Sequence, residues 1–212
     1  MNRRPVAVLG AGSWGTALAM VLSRTGREVR LMGRSADIAA GMEQARENGR
    51  YLPGIRFPAS LHVTASLAEA IDSIEACVVA LPCSAAESVL PQLADGNYPV
   101  IAAFKGLHPE TLVRTDEMLL KHLAAERVAL LSGPSFAQEV AKGQPTAITM
   151  AAADLVLAGR AAAFFDDTNF RVYSSDDPTG VAMGGALKNV IAIAAGVAEG
   201  LGLGHNSIAA TV

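Results

Sequence analysis

The sequence lacks an excess of basic residues and a cluster of metal ligands. Its 17 Lys and Arg residues stand against 20 Asp and Glu residues, so the formal net charge is −3. Nucleic-acid binding needs clustered positive charge to neutralise phosphates, and this balance disfavours it. The histidines are scattered and match no metal-ligand spacing, so we expect no metal site. They are His62, His108, His122 and His205.

Cysteines and aromatic residues are also few. Cys77 and Cys83 do not suffice for a disulfide framework, and we expect both to be reduced. Aromatic residues make up 5% of the chain, whereas 51% of it is hydrophobic. Ala, Val, Leu and Gly dominate this fraction, which is typical of parallel strands packed against helices.

Uninterrupted apolar runs are short of the ~18 residues that a membrane span needs. The apolar start of the chain is broken by the glycine-rich segment Gly10 to Thr16, so it does not read as a signal peptide. The small-residue stretch from Gly180 to Gly204 is interrupted by Lys188, Asn189 and Glu199. We therefore expect a soluble, cytoplasmic protein without a membrane span.

Short β-branched segments alternate with helical patterns along most of the chain. The predicted strands are Val6 to Leu9, Glu28 to Met32, Leu61 to Val63, Ala76 to Leu81, Val100 to Phe104, Val128 to Leu131, Ala147 to Met150 and Arg171 to Tyr173. The predicted helices are Trp14 to Arg24, Ser35 toward Asn48, Leu67 to Asp72, Ser84 to Ala94 and Pro109 to Ala124. Because parallel strands need crossover connections, this alternation predicts an α/β fold with a doubly wound, mostly parallel Rossmann-type sheet.

The pattern changes near Asp177, where one long helix is predicted to run to Leu201. It is entered at Pro178 and contains glycines at four-residue spacings, which would let another helix approach closely. These are Gly180, Gly184, Gly196 and Gly200. We therefore divide the chain into a dinucleotide-binding domain, residues 1–176, and the start of an incomplete all-α substrate domain, residues 177–212.

A glycine-rich turn, Gly10-Ala11-Gly12-Ser13-Trp14-Gly15, follows the first predicted strand and opens the first helix. Gly10 permits a tight turn, Gly12 lets a pyrophosphate approach the backbone, and Gly15 allows the helix to pack on the strand. Amides at the helix N-terminus then face the phosphates. The turn predicts an NAD or NADP site; the alternative is a glycine-rich connector without a ligand.

The second predicted strand ends in Met32-Gly33-Arg34-Ser35. An NAD-selective site places an acidic residue about twenty residues beyond the glycines, to bind the ribose 2′-hydroxyl. Arg34 stands in that region instead, and arginine pairs with a 2′-phosphate or stacks on adenine. The sequence therefore predicts that NADP is accepted, unless Arg34 is an ordinary solvated charge.

Two lysines and one further segment are candidates for the substrate site. Lys105 directly follows a predicted strand, at the edge where open α/β sheets bind ligands. Lys188 lies among small residues of the long helix, which leaves space for a substrate and suits acid–base chemistry. The segment Leu131 to Ala137 leads from a strand into a helix, whose free amides could contact a phosphate or the nicotinamide. Ordinary surface lysines and a simple helix start are the alternatives.

These segments together resemble the bacterial NAD(P)-dependent glycerol-3-phosphate dehydrogenase family. The matching stretches are GAGSWGTALA, FKGL around Lys105, LSGPSFAQEVAKGQPTA and GALKNVIAIAAGVAEGLGLGHNS. The first is shared with many dinucleotide enzymes, whereas the last two are more specific. The resemblance implies interconversion of sn-glycerol 3-phosphate and dihydroxyacetone phosphate with NAD or NADP, which feeds glycerophospholipid synthesis.

The resemblance also implies roles for individual residues. Lys188 would be the catalytic proton donor and acceptor at the substrate C2 oxygen. Substrate contacts would come from Lys105, Gly133, Ser135 and Asn189. Cofactor contacts would come from Gly10, Gly12, Ser13, Trp14, Gly15, Arg34, Tyr51, Lys105 and Ala137.

The family continues into more of a helical domain, which carries an aspartate near the catalytic lysine and an Arg-Asn pair for the substrate phosphate. We therefore expect this chain to bind dinucleotide but to turn over poorly. Another two-domain dehydrogenase, of the β-hydroxy-acid type, is one alternative. A non-catalytic dinucleotide-binding module and an interaction protein that assembles through the glycine-rich helix are the others. The native assembly is left open, with a homodimer as one candidate.

Overall fold

The computed structural model describes residues 3–166 and 169–211. In that part of the chain one sheet contains β1 (Val6–Leu9), β2 (Val29–Met32), β3 (Leu61–Thr64), β4 (Ala76–Val79), β5 (Val100–Ala102), β6 (Val128–Ser132), β7 (Thr146–Ala152) and β8 (Phe170–Ser175). The helices are α1 (Ser13–Arg24), α2 (Ala36–Ala45), α3 (Leu67–Ile71), α4 (Cys83–Val89), α5 (Thr115–Leu120), α6 (Ala137–Ala141), α7 (Leu155–Ala162), α8 (Pro178–Gly200) and α9 (His205–Ala209).

The strand order is β3-β2-β1-β4-β5-β6-β7-β8. Neighbouring strands are parallel, except that β6 and β7 are antiparallel. This arrangement confirms the predicted mostly parallel, Rossmann-type fold. All residues of β1 and β4 are buried, because helices cover both faces of the sheet there. β1 pairs with both β2 and β4, so the strand order reverses beside it, and such switch points are where these sheets bind ligands.

Two helix starts show how side chains set the element limits. The Ser66 hydroxyl accepts a hydrogen bond from the backbone N–H of Glu69 and caps α3, as expected. The carboxylate of Asp177 accepts one from the backbone N–H of Gly180 at 2.7 Å and caps α8. The long helix thus begins and ends within a residue of its predicted limits.

The predicted helix from Pro109 to Ala124 is wrong in its first half, because α5 begins only at Thr115. A loop precedes it, closed by a bridge between Leu107 and Arg114. His108 is buried, and its Nδ1 accepts hydrogen bonds from the backbone N–H groups of Glu110 and Thr111. These bonds stabilise a turn in place of the helical hydrogen bonds that the sequence pattern suggested.

The predicted helix from Ser35 toward Asn48 also ends early. Arg46 stops α2 in a left-handed conformation with φ of 52°. Its guanidinium donates hydrogen bonds to the carbonyl oxygens of Pro58 and Leu61, at 2.7 and 2.6 Å. These contacts fold the following segment back toward β3, so the helix cannot continue.

Helix α8 contacts β6, β7 and α5, whereas much of its remaining surface is exposed. Its exposed apolar residues and those just after it are Met183, Leu187, Val190, Ile193, Val197, Leu201 and Leu203. By length and composition alone α8 could cross a membrane, and 11% of its 18-residue apolar stretch is buried in the fold. One such helix among the described residues is weak evidence for a span, because the core helix of a soluble protein passes the same test.

Candidate functional site

The glycine-rich turn between β1 and α1 has the geometry that its three glycines predict. Gly10 has φ of 112°, a conformation that favours glycine. A Cβ on Gly15 would lie 1.9 Å from the carbonyl oxygen of Gly10, so only glycine lets α1 start this close to the turn. A Cβ on Gly12 would meet no atom within 4 Å. The turn therefore leaves open space at Gly12, where a pyrophosphate can approach the backbone.

A cavity of about 500 Å³ lies at this turn. It brings together segments from four parts of the chain at the carboxyl edge of the sheet. Its lining includes the predicted cofactor and substrate residues Gly12, Ser13, Trp14, Gly15, Lys105, Ser135 and Ala137. The remaining lining residues are Ala80, Leu81, Pro82, Ala103, Phe104 and Phe136. A mostly apolar cavity with a few polar groups is what a dinucleotide site requires.

A second cavity, of about 330 Å³, lies between α8 and the end of β6. Its lining contains the predicted residues Lys188 and Gly133. The other lining residues are Ser132, Pro134, Thr149, Val181, Gly184 and Gly185. The small side chains around Lys188 therefore leave room for a ligand, as the sequence pattern suggested.

Lys105 connects the two cavities. Its Nζ donates a hydrogen bond to the carbonyl oxygen of Gly133 at 2.8 Å. Burial, followed by the charge of the neighbouring Lys188, lowers the pKa of Lys105 from 10.5 to about 8. Because Gly133 and Lys188 line the same cavity, the two predicted lysines lie close together at the carboxyl edge of the sheet.

Helix α8 reaches this position because Gly185 has no side chain. A Cβ there would lie 3.1 Å from Ser132 Oγ and 3.5 Å from Lys105 Cγ. Ser132, the last residue of β6, lies in the candidate segment Leu131 to Ala137 but was not itself predicted as a site residue. Its place directly before Gly133, at the end of a strand, is the signal that could have found it.

Other predicted site residues do not line these cavities. Arg34 and Asn189 are exposed, and Tyr51 is 48% exposed. Gly10 is buried inside the turn. Sequence reasoning also missed Asn48, a buried side chain that connects the segment containing Tyr51 to the glycine-rich turn. No local pattern marks Asn48 as functional.

A larger groove, of about 670 Å³, lies away from the glycine-rich turn, beside β2, β3 and α3. It is lined by residues of both charges, including Arg30, Glu28 and His62. The guanidinium of Arg30 already donates hydrogen bonds to the carbonyl oxygens of Glu69 and Asp72. Its charge is therefore engaged within the fold, and we do not assign this groove to the predicted site.

The doubly wound sheet, the glycine-rich turn at its switch point and the adjoining cavity define a Rossmann-type dinucleotide-binding protein. Comparisons with known proteins specify the family. The family described as NAD-dependent glycerol-3-phosphate dehydrogenase N-terminus matches residues 5–158. The one described as NAD-dependent glycerol-3-phosphate dehydrogenase C-terminus matches residues 177–212. The chain therefore belongs to the NAD-dependent glycerol-3-phosphate dehydrogenase family, as its motifs implied.

Individual relatives are similar over the whole chain. A protein of Thioalkalivibrio sulfidiphilus named glycerol-3-phosphate dehydrogenase (NAD(P)+) is 45% identical over 100% of this chain, which covers 65% of that protein. The protein of the same name from Bacillus pumilus is 39% identical over 99% of this chain, which covers 62% of it. The chain thus spans slightly less than two thirds of these relatives.

A solved structure has the same fold. The crystal structure of glycerol-3-phosphate dehydrogenase from Coxiella burnetii has a TM-score of 0.87 and is 35% identical. The match covers 100% of this chain and 66% of that structure. A glycerol-3-phosphate dehydrogenase structure from Plasmodium falciparum has a TM-score of 0.86 at 25% identity, over 98% of this chain and 62% of that one.

Proposed function

We propose that this chain supplies the cofactor site and the acid–base lysine of an enzyme that interconverts sn-glycerol 3-phosphate and dihydroxyacetone phosphate with NAD or NADP. The observation that carries the proposal is that Lys105 and Lys188 meet at Gly133, beside the glycine-rich turn: Lys105 donates a hydrogen bond to the Gly133 carbonyl oxygen, and Lys188 lines the cavity that Gly133 also lines. A dinucleotide-binding module without catalysis has no need for two neighbouring cations there. The names of the relatives support the same substrate.

The open backbone at Gly12 fits the pyrophosphate, and the cavity beyond it fits the rest of a dinucleotide. We assign cofactor contacts to the turn residues Gly10, Gly12, Ser13, Trp14 and Gly15, and further contacts to Arg34, Tyr51, Lys105 and Ala137. When bound, the nicotinamide supplies hydride transfer. The amides at the start of α1 would hold the phosphates by hydrogen bonds and by the helix dipole.

Lys188 would act on the substrate C2 oxygen. Reduction places negative charge on this oxygen, and a cationic lysine stabilises the charge and donates the proton. In the reverse direction, neutral Lys188 accepts the hydroxyl proton. Lys105, Gly133, Ser135 and Asn189 would bind and orient the substrate, with the Lys105 charge favouring its phosphate.

Arg34 bears on the choice of cofactor. Its position after β2, and its exposure, leave the guanidinium available to a 2′-phosphate. We propose that NADP is accepted, and that Arg34→Ala weakens NADPH binding more than NADH binding. Titrations of the variant with both cofactors test this. An equal loss for the two cofactors would assign Arg34 to adenine stacking instead.

The domain limits, the cellular location and the assembly of the protein belong to the same proposal. We place the dinucleotide-binding domain at residues 1–176 and the start of the helical substrate domain at 177–212. Because the family's C-terminal region matches α8, we propose that the exposed face of this helix packs against protein and not lipid. Reduced Cys77 and Cys83 support a cytoplasmic protein, and a homodimer is the assembly that we would test first.

Binding and substrate choice can be tested separately on the 212-residue chain. Trp14 is the single tryptophan and lines the cavity, so energy transfer from it to NADH or NADPH reports binding directly. Lack of saturable binding of both cofactors would refute the cofactor assignment.

For substrate choice, reduction of NADP is followed in the presence of each candidate substrate. Glycerol 3-phosphate is compared with a β-hydroxy acid, the substrate class of the alternative dehydrogenase. Preferential oxidation of the β-hydroxy acid would contradict the proposed substrate. Lys188→Ala serves as the control that should abolish product formation while retaining energy transfer.

A further inference from the structure

A single buried amide, that of Asn48, connects two parts of the cofactor site that are distant in sequence. Its side-chain Nδ2 donates a hydrogen bond to the Ala11 carbonyl oxygen in the glycine-rich turn at 3.0 Å. The same nitrogen donates to Thr16 Oγ1 on α1 at 2.8 Å. Its Oδ1 accepts a hydrogen bond from the backbone N–H of Tyr51 at 3.3 Å. Asn48 is 2% exposed, so these partners replace water.

The bond to Ala11 fixes the orientation of a peptide group at the cofactor site. In a trans peptide the C=O and the following N–H point in opposite directions. When the Ala11 oxygen is held toward Asn48, the N–H of Gly12 points away from Asn48. Gly12 lines the cavity and has no neighbour that a Cβ would meet within 4 Å. Asn48 thus sets the direction of the Gly12 N–H, a hydrogen-bond donor in the part of the turn that a pyrophosphate approaches.

The bond from Tyr51 fixes a second part of the site. The segment from Asn48 to Arg56 folds back on itself, because a bridge pairs Glu47 with Arg56 and the Glu47 carboxylate accepts a hydrogen bond from Gly54 N–H. Within this segment the side chains of Arg50 and Tyr51 are exposed, with the guanidinium carbon of Arg50 5.2 Å from the centre of the Tyr51 ring. Asn48 anchors this pair to the turn.

We propose that Asn48 is a positioning residue for dinucleotide binding, acting through Ala11 and Tyr51 without contacting the cofactor itself. The inference rests on the proposed cofactor site and adds to it a residue outside the glycine motif. A buried asparagine suits the task because its amide donates and accepts at once, whereas an ionised aspartate of the same shape cannot donate.

The test compares two substitutions at the same buried contact. Asn48→Asp keeps the hydrogen-bond acceptor for Tyr51 but places a carboxylate against the Ala11 oxygen. The peptide group between Ala11 and Gly12 then loses the hydrogen bond that fixes its orientation. We expect affinity for NADH and for ADP, measured through Trp14 fluorescence, to fall on the order of tenfold. Thr16→Val removes the other partner of Nδ2 and leaves the Ala11 contact intact. It should change these affinities less than about threefold, although it loses a buried hydrogen bond too.

The outcomes distinguish a failure of the role proposed for Asn48 from a failure of the proposed cofactor site. Wild-type protein that binds neither NADH nor ADP contradicts the cofactor site itself. If the wild-type protein binds NADH and ADP, and Asn48→Asp and Thr16→Val bind them with equal affinity, only the role of Asn48 is overturned. Circular dichroism checks that the variants are folded. If Asn48→Asp does not fold, Asn48→Ala introduces no charge and should show the same loss of affinity, and unchanged affinity there would overturn the inference.

Discussion

The Nζ of Lys105 lies 2.8 Å from the carbonyl oxygen of Gly133 and donates a hydrogen bond to it. This bond ties the loop that follows β5 to the loop that follows β6, at the carboxyl edge of the sheet. It also holds the Lys105 ammonium beside Lys188, so the two cations share one site. The charge at this site therefore depends on the protonation of Lys105, whose pKa is lowered to about 8.

Removal of Lys188 should raise the pKa of Lys105. The neighbouring charge of Lys188 lowers that pKa, which is about 8, and Lys188→Met removes this charge. The rise should be incomplete, because burial is the largest cause of the shift and it remains. Nuclear magnetic resonance titration of the lysine side chains measures the change. Lys121→Met is the control, since an exposed lysine elsewhere should not affect Lys105. An unchanged Lys105 titration in Lys188→Met would show that the two side chains do not interact.

The lowered pKa of Lys105 predicts a dependence of stability on pH. The folded-state value is about 8 and the ordinary value is 10.5, so between them the unfolded chain binds more protons. The free energy of unfolding should therefore rise with pH across this interval, relative to a variant without the amine. Urea unfolding of wild type and Lys105→Met, at several pH values from 8 upward, measures the difference. The lowered pKa would be contradicted if the free energy of unfolding of wild type, relative to that of Lys105→Met, stayed constant or fell as the pH rises.

Substitutions at Gly12 and Gly15 should separate cofactor binding from folding. At Gly12, with φ of −74° and no neighbour within 4 Å, alanine should change the free energy of unfolding by less than ~1 kcal/mol. Its methyl group fills the space that the pyrophosphate needs, so NADH binding should be lost. At Gly15 the new Cβ would lie 1.9 Å from a backbone oxygen, and alanine should cost ~3 kcal/mol or more.

Thermal or urea unfolding, together with Trp14 fluorescence titration, measures both effects. Retained NADH binding in Gly12→Ala would show that the phosphates do not approach this part of the turn. A stable Gly15→Ala protein would show that α1 can move away from β1 at little cost.

Adjacent glycines of α8 should respond differently to alanine. In a helix interior, alanine is favoured over glycine by ~1 kcal/mol. Gly184 has open space around its Cβ position, so Gly184→Ala should gain stability of that order. At Gly185 the Cβ meets Ser132 Oγ at 3.1 Å, so the gain should be reduced or reversed.

Urea unfolding of the two variants makes the comparison, and the Lys105 titration in Gly185→Ala shows whether α8 has shifted from the sheet. Equal stabilisation by both substitutions would mean that the close approach of α8 is not fixed by Gly185.

Local sequence patterns predicted most of the fold. β1 and α8 lie at or within a residue of their predicted limits, because apolar strand residues, proline at a helix start and a capping carboxylate act within a few residues. The glycine-rich turn was predicted for the same reason, since the missing Cβ of each glycine is what allows a positive φ and a close approach to its backbone. The family resemblance supplied the roles that we propose for Lys105 and Lys188.

Tertiary contacts decided the rest. Arg46 ends α2 through bonds to the segment before β3 and to β3 itself. The turn that replaces the first half of a predicted helix is centred on buried His108, whose Nε2 lies 2.9 Å from Glu87 Oε2 on α4. Neither could be read from periodicity, because their partners are not marked by a local motif. The same holds for Asn48, whose partners Ala11 and Thr16 lie more than thirty residues earlier in the chain.

The sequence by itself determined that a dinucleotide-type turn, two candidate lysines and a glycine-rich helix are present. Only the tertiary structure brought Lys105 against both Gly133 and Lys188, and gave Lys105 its lowered pKa. The physical reason is that charge and burial depend on which atoms lie nearby in space. That arrangement follows from the parallel sheet, which gathers the ends of separate strands at one edge.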